Sequence, residues 1–329
     1  MYVLELGGAD DAFAAAEARA AASDVDVVAP GIATASNVDP EGFEGLAYVH
    51  RAGERVADTA AAVDAAVAAL ADADVSRSGS VAVRARNVRN TTDVDTQAAE
   101  RELGGVLVDA GFSVDLEDPD HELRALFAGD AAGTDSRAGR CYLSWLAVES
   151  VRDYGERKPT DRPFFQPGSM DPLLARAVCN LARVRSGDVV LDPMCGTGGV
   201  LIEAGLLGAH AVGTDAQAKM VAGTRENLAA YIESFDVARA DATSLPLHDD
   251  AVDAVVFDAP YGRQSKIETH ELADLVAGAL SEARRVADRC VMVADRDWRE
   301  AATDAGWTVT DRFDRRVHQS LTRYVLVLT

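Results

Sequence analysis

Val189-Val190-Leu191-Asp192-Pro193-Met194-Cys195-Gly196-Thr197-Gly198-Gly199 is the stretch whose reading decides the fold. Three apolar residues end in a carboxylate and a glycine-rich turn follows. Val200, Leu201, Ala204 and Leu207 then recur at helical spacing. The order is strand, tight loop, helix. Glycines let the backbone take positive φ and let a ligand come close. A helix N-terminus beyond such a loop favours electronegative groups. The spacing is not the dinucleotide G-x-G-x-x-G, and no Gly-Lys-Ser/Thr of a P-loop is present.

Further along, three more apolar runs end in acids. Asp215 closes Ala211-Val212-Gly213-Thr214, Asp241 follows Val237-Ala238-Arg239-Ala240, and Asp258 ends Ala254-Val255-Val256-Phe257. An acid about 20 residues past the glycine loop is where a nucleotide ribose is held. A single Asp at such a place reads more readily as a helix cap or a turn than as a ligand. Four in succession line the carboxyl edge of a parallel sheet, where open α/β sheets bind ligands.

The chain has 329 residues, which favours two domains. Its net charge is −22 and only three of its 32 basic residues are lysines, Lys158, Lys219 and Lys266. Acid spread along the whole chain, scarce Lys and abundant Ala and Val fit a protein of a highly saline cytoplasm, such as that of a halophilic archaeon; the other reading is a surface for a basic partner. At about 1 M salt the Debye length is about 3 Å, so the acidic surface does not bar a nucleic-acid substrate. Cys141, Cys179, Cys195 and Cys290 form no C-x-x-C pair and read as reduced cytoplasmic thiols. Cys195 reads as a small residue of the glycine loop rather than a catalytic thiol. The six His show no metal-ligand spacing, so no metal is expected. No apolar run approaches membrane-spanning length, and a soluble, non-exported protein is expected.

In the N-terminal part, Tyr2 to Leu6 and Val25 to Ala29 read as strands and Asp10 to Ala22 as a helix. Val56, Ala60, Val63, Val67 and Leu70 recur as one helical face. Ser80 to Asn87 alternates, with Val81, Val83 and Ala85 inward and Arg84 and Arg86 outward; Arg89 follows. This acid-free patch is either a solvated strand face or a phosphate contact. A helix from Asp93 to Ala110 and short strands at Phe112 to Leu116, His121 to Phe127 and Arg140 to Leu146 come next. Residues 151–171, rich in Pro, Gly and charge, form the linker. It divides an N-terminal region, 1–150, from a second domain, 172–329. Near the C-terminus, Trp307 to Thr310 and Leu321 to Leu328 would pair antiparallel through a turn containing Arg315, Arg316 and His318.

Asp192-Pro-Met-Cys-Gly-Thr-Gly-Gly199 followed by Asp258-Ala259-Pro260-Tyr261 resembles the S-adenosylmethionine-dependent methyltransferases with a Rossmann-like sheet. The second motif is similar to the Asp/Asn-Pro-Pro-Tyr loop of enzymes that methylate exocyclic amines of nucleobases, with Ala259 in place of the first proline. Arg162-Pro163-Phe164-Phe165-Gln166-Pro167-Gly168-Ser169-Met170 resembles the segment that closes over the methionine end of the cofactor in archaeal tRNA guanine-N2 methyltransferases. A plain helix-leading loop is its other reading. Val114-Asp-Leu-Glu-Asp-Pro-Asp-His-Glu-Leu123, between two strands, resembles the THUMP domain of RNA-modifying enzymes, which binds the 3′ acceptor end of tRNA.

The fold implied is an α/β class I methyltransferase sheet with an antiparallel C-terminal hairpin, preceded by an α/β THUMP-like region. The cofactor implied is S-adenosylmethionine. Met170, Asp192, Cys195, Gly196, Thr197 and Gly198 would hold its methionine part, Asp215 its ribose, and Asp241 with Ala242 its adenine. Asp258 would accept a hydrogen bond from the target amine, the Ala259 or Pro260 carbonyl would take the other N–H, and Tyr261 would stack on the base. Arg84, Arg86, Arg89, Arg315, Arg316 and His318 are the candidates for touching tRNA. The activity implied is methylation of the N2 amine of a guanine in tRNA, at position 10, with position 6 as the alternative. A DNA adenine-N6 methyltransferase and a non-catalytic RNA-binding subunit are the more distant readings. The partner implied is tRNA, with room for the small activating subunit that some eukaryotic relatives require, and with neither membrane nor DNA.

Self-repulsion of 54 acidic residues is unscreened in dilute buffer. The melting temperature should therefore rise between low and molar potassium chloride. A flat or falling curve would contradict the saline reading.

Overall fold

A computed structural model describes residues 1–130, 139–261, 269–318 and 321–329, with the side chains at 269, 270, 317, 318 and 321 outside the description. The chain divides into two compact units, Met1–Val151 and Arg152–Thr329. Among the described residues no helix is long and apolar enough to cross a membrane.

The N-terminal unit opens with β1 (Tyr2–Leu6), α1 (Asp11–Ala18), β2 (Ala22–Ser23), β3 (Asp26–Ala29), β4 (Ile32–Ala35), β5 (Asn37–Val38), α2 (Pro40–Glu44) and β6 (Val49–Ala60). It continues with α3 (Val63–Ala71), β7 (Ser80–Asn87), α4 (Thr96–Asp109), β8 (Ser113–Val114), β9 (His121–Ala128) and β10 (Arg140–Glu149). One sheet runs in the order β3-β4-β1-β6-β10-β9-β7-β8. Helices α3 and α4 lay Leu70, Leu103 and Leu107 on its Val81, Leu123 and Phe127. Along β7, Val81, Ala82 and Val83 are all buried, Ala85 is half-buried, and Arg84 and Arg86 are not buried, so the expected alternation holds for the valines and arginines but not for Ala82. The helical face expected from Val56 onward is corrected. Val56 and Ala60 belong to the long strand β6, and the helix begins only at Val63. Pairing of β6 with β1 and β10 on its two sides overrides a periodicity that its alanines make ambiguous.

The C-terminal unit comprises α5 (Pro172–Leu181), β11 (Val189–Asp192), α6 (Gly199–Leu206), β12 (His210–Asp215), α7 (Ala218–Tyr231), β13 (Phe235–Arg239) and β14 (Ala254–Asp258). Helix α8 (Thr269–Val286), β15 (Cys290–Ala294), α9 (Arg299–Asp304), β16 (Val309–His318) and β17 (Leu321–Leu328) complete it. Its sheet runs β13-β12-β11-β14-β15-β17-β16. The first five of these strands are parallel, while β17 is antiparallel to both β15 and β16. Strand order therefore reverses at β11, which is where open α/β sheets form their binding crevice. Leu191, Phe257, Leu280, Met292 and Leu326 fill the core on one side; Cys195, Leu201, Val221 and Leu228 form a second cluster. This is the Rossmann-like methyltransferase sheet with its antiparallel hairpin. One detail differs: Arg315 and Arg316 lie within β16 rather than in a turn, because the hairpin ladder runs on to pair Arg316 with Thr322.

Glu203 of α6 is wholly buried and binds Arg157 at 2.9 Å and Arg176 of α5 at 2.9 Å. It locks the helix behind the glycine loop to two neighbouring segments. Breaking a buried pair by removing one partner leaves uncompensated charge and costs about 3–5 kcal/mol. Glu203→Ala should lower unfolding stability by that order in urea titrations; a midpoint equal to that of the parent would contradict the assignment.

Candidate active site

Apolar strands β11, β12 and β14 end in Asp192, Asp215 and Asp258, so the parallel register sets three carboxylates along one edge. Beyond Asp192 the backbone turns left-handed at Gly196 (φ 53°) and Gly198 (φ 77°). A Cβ on Gly198 would stand 2.9 Å from Thr224 Cγ2, so both the dihedral and the space demand glycine. Helix α7 clamps this turn. Thr224 Oγ1 donates to the Gly196 carbonyl at 2.7 Å, and Asn227 Nδ2 donates to the Thr197 carbonyl at 2.8 Å. Asn227 also exchanges two 2.8 Å bonds with the backbone of Phe164, and Ser169 Oγ lies 3.0 Å from Thr197 Oγ1. The 162–170 segment is thereby fastened to the glycine loop.

A cavity of about 300 Å³ opens between these elements. Met170, Asp192, Cys195, Gly196, Thr197, Asp258, Ala259, Pro260 and Tyr261 all line it. Gly198 and Asp215 are not on its wall, but Asp215 accepts from Gly196 N (3.1 Å) and Gln217 N (2.8 Å), both residues of the lining. Asp241 is exposed and accepts from Thr243 N and Oγ1, which hold its carboxyl below the usual range; neither it nor the buried Ala242 is on the wall. Cys195 is buried with its Sγ beside Thr224, and burial pushes its thiol up, away from nucleophilic use.

The electrostatics fit a cationic ligand. Burial pushes Asp192 well above the usual carboxylate range, and the charges of Asp258 and Asp215 push it further. Burial raises Asp215 as well. Asp258 is pushed up to about 6 by burial, against the Arg323 charge and the Tyr261 hydrogen bond. Tyr261 Oη donates to Asp258 Oδ1 at 2.7 Å, and Arg323 Nε donates to Tyr261 Oη at 2.8 Å.

The candidate RNA-contacting arginines of the N-terminal unit stand in ion pairs. Arg84 Nε lies 3.8 Å from Glu122, Arg86 Nη1 3.2 Å from Glu5, and Arg89 Nη1 donates to Asp11 at 3.0 Å. In the other unit, Arg315 is the register partner of Arg323; the His318 side chain lies outside the described residues. Sequence reading missed Asn227, Gln217, Met220 and Arg323. An Asn inside a helix that it does not favour, and an Arg inside the apolar run of β17, were the available signals.

Fold and cavity together define a Rossmann-like methyltransferase that uses S-adenosylmethionine. The RMKL-like methyltransferase domain family (UPF0020) matches residues 159–324. The chain is 39% identical over 294 residues to the tRNA (guanine(10)-N2)-dimethyltransferase of Methanothermobacter thermautotrophicus, covering 86% of this chain and 83% of that protein. It is 31% identical over 258 residues to the enzyme of the same name from Pyrococcus abyssi, covering 76% and 74%. The crystal structure of TrmN from Thermus thermophilus superposes with a TM-score of 0.51 at 22% identity, covering 99% of this chain and 98% of that one, a likeness of fold. The chain belongs to the family of tRNA (guanine(10)-N2)-dimethyltransferases.

If Asp215 holds the ribose hydroxyls, each hydrogen bond to its charged carboxylate contributes about 1.5–3 kcal/mol. Asp215→Ala should weaken S-adenosylmethionine binding roughly tenfold to a hundredfold in calorimetry. Unchanged affinity would remove this assignment.

Proposed function

We infer that the protein transfers methyl groups from S-adenosylmethionine to the exocyclic N2 amine of guanine 10 in tRNA, giving N2-methyl- and N2,N2-dimethylguanosine. One observation carries the chemistry: Asp258 shares a single cavity with the glycine loop and Met170. The names of the relatives, with matches that extend over most of the chain, support guanine 10 as the target.

A guanine amine is a poor nucleophile because its lone pair is delocalised into the ring. S-adenosylmethionine supplies an electrophilic methyl on a sulfonium whose departure leaves a neutral thioether. The chain's task is placement and charge. The Asp258 carboxylate accepts an N–H from the amine and favours the positive charge that builds on nitrogen during attack. A backbone carbonyl of Ala259 or Pro260 takes the second N–H and fixes the amine's orientation, which placement at about 3–3.5 Å requires. Tyr261 offers its ring to a base drawn out of the RNA helix. With its pKa raised to about 6, Asp258 is basic enough to accept the proton released and return it to water.

The N-terminal unit, with its THUMP-like pattern, delivers the tRNA. RNA phosphates there compete with Glu122, Glu5 and Asp11 for Arg84, Arg86 and Arg89. Recognition accordingly leans on the shape of the tRNA more than on bulk charge. Its place of action is the cytoplasm.

Asp258→Ala should cut kcat by about 10²–10³ while S-adenosylmethionine affinity stays close to that of the parent, and Asp258→Asn should retain more activity because its amide oxygen still accepts the amine hydrogen bond. Mass-spectrometric mapping of tRNA from a deletion strain should show guanosine 10 unmodified. Normal turnover by Asp258→Ala, or an intact N2,N2-dimethylguanosine at position 10 in that strain, would refute the reading.

A further inference from the structure

The C-terminal hairpin places a cation at the methyl-acceptor site. Asp258 is the register partner of Val293, and Ala294, one residue on, is the partner of Tyr324. Because β17 runs antiparallel to β15, its opening residues rather than its end reach the carboxyl edge of the sheet. Arg323 is thus brought beside Asp258. Its side chain is 7% exposed, its Nε donates to Tyr261 Oη at 2.8 Å, and its Nη2 stands 3.9 Å from Asp258 Oδ2. The guanidinium carbon lies 5.8 Å from the centroid of the Tyr261 ring. The phenol in turn donates to Asp258 Oδ1 at 2.7 Å. A buried arginine is expensive to desolvate, and this one is spent on the catalytic loop.

We propose that Arg323 is a positioning residue for methyl transfer: through the Tyr261 hydroxyl it aims the Asp258 carboxylate at the target amine and stabilises its negative charge. The inference rests on the role of Asp258 proposed above. Arg323 can only donate, so the Tyr261 hydroxyl accepts from it at 2.8 Å and donates onward to Asp258 at 2.7 Å. That occupies Oδ1 and restricts rotation of the carboxylate. Other charged groups near Asp258 oppose its ionisation: Asp192 at the end of β11 and Asp295 just beyond β15. Among the described residues, Arg323 and Tyr261 are the groups that offset them, with Arg315 a register position away on β16. Lysine is a poor replacement, since a flexible ammonium lacks the planar fork that reaches both the phenol and the carboxylate. The arrangement also changes what Tyr261 does. Read from sequence it supplies a stacking ring, and Tyr261→Phe should then be nearly silent; the hydroxyl's bond to Asp258 predicts a measurable defect instead.

The test is the pH profile of single-turnover methyl transfer to tRNA, in molar potassium chloride, for the parent, Arg323→Gln, Arg323→Lys and Tyr261→Phe. The carboxylate must be ionised to accept the amine, so the parent's rate should climb with pH through the titration of Asp258, near 6. An opposite charge within about 4–6 Å lowers a carboxyl pKa by about 1–3 units. Losing it in Arg323→Gln should move the acid limb up by about one pH unit or more, with S-adenosylmethionine affinity unchanged. Arg323→Lys should keep the limb nearer the parent's position but with a lower plateau. Tyr261→Phe, which keeps the ring and the neighbouring charge, should also raise the limb and guards against a misfolded arginine variant. An acid limb that stays in place in both Arg323→Gln and Tyr261→Phe overturns the inference, as does a loss confined to cofactor binding. If Asp258→Ala is inactive while those limbs stay put, the inference alone fails. If Asp258→Ala turns over normally, the reading beneath it fails too.

Discussion

The site depends on a left-handed turn that has no room for a side chain. At Gly198 the backbone lies at φ 77°, and Thr224 closes the space a Cβ would need. Thr224 and Asn227, one turn apart on α7, hold two successive carbonyls of the turn, those of Gly196 and Thr197. The same Asn227 holds Phe164, so one buried amide joins the glycine loop to the segment that carries Met170. The turn itself walls the cavity that Asp192 faces, through Cys195, Gly196 and Thr197.

Around that turn the sheet gathers acids that do not favour one another. Asp192 feels Asp215 and Asp258, and burial raises all three. Asp192 and Asp258 line the cavity, and a cation placed in it favours their ionised forms. A methyl donor carrying a sulfonium is such a cation, and the thioether left after transfer is not. Binding and release of the cofactor's two forms can therefore differ without any movement of the protein, because the differential interaction lies in the charge itself.

Much of this was legible in the amino acids. Strand ends are marked by a switch from apolar residues to Asp, and the parallel sheet turns that local mark into a shared edge, which is why Asp192, Asp215 and Asp258 were visible before the fold. Contacts made across the fold were not. Arg323 lies 65 positions after Asp258, and only the antiparallel return of β17 brings them together. Asn227 looks like one more polar residue of an amphipathic helix until its partners are seen. Strand β6 failed for a different reason: alanine and valine at mixed spacing satisfy a helical face and a strand alike, and the choice was made by β1 and β10. The three arginines of the acid-free patch read in sequence as a solvated face or a phosphate contact, yet acids from far along the chain, Glu5, Asp11 and Glu122, pair with them.

An acidic protein that acts on a polyanion must recognise it by something other than net charge. The mechanism proposed for the C-terminal unit rests on a chemical criterion: an exocyclic amine that Asp258 and a backbone carbonyl would accept. That criterion is tested most directly by two tRNA transcripts that differ only at nucleotide 10, one with guanosine and one with inosine, which keeps the purine ring but lacks the 2-amine. With labelled S-adenosylmethionine in molar salt, the guanosine transcript should take up label and the inosine transcript none above background. Equal incorporation into both would contradict the account.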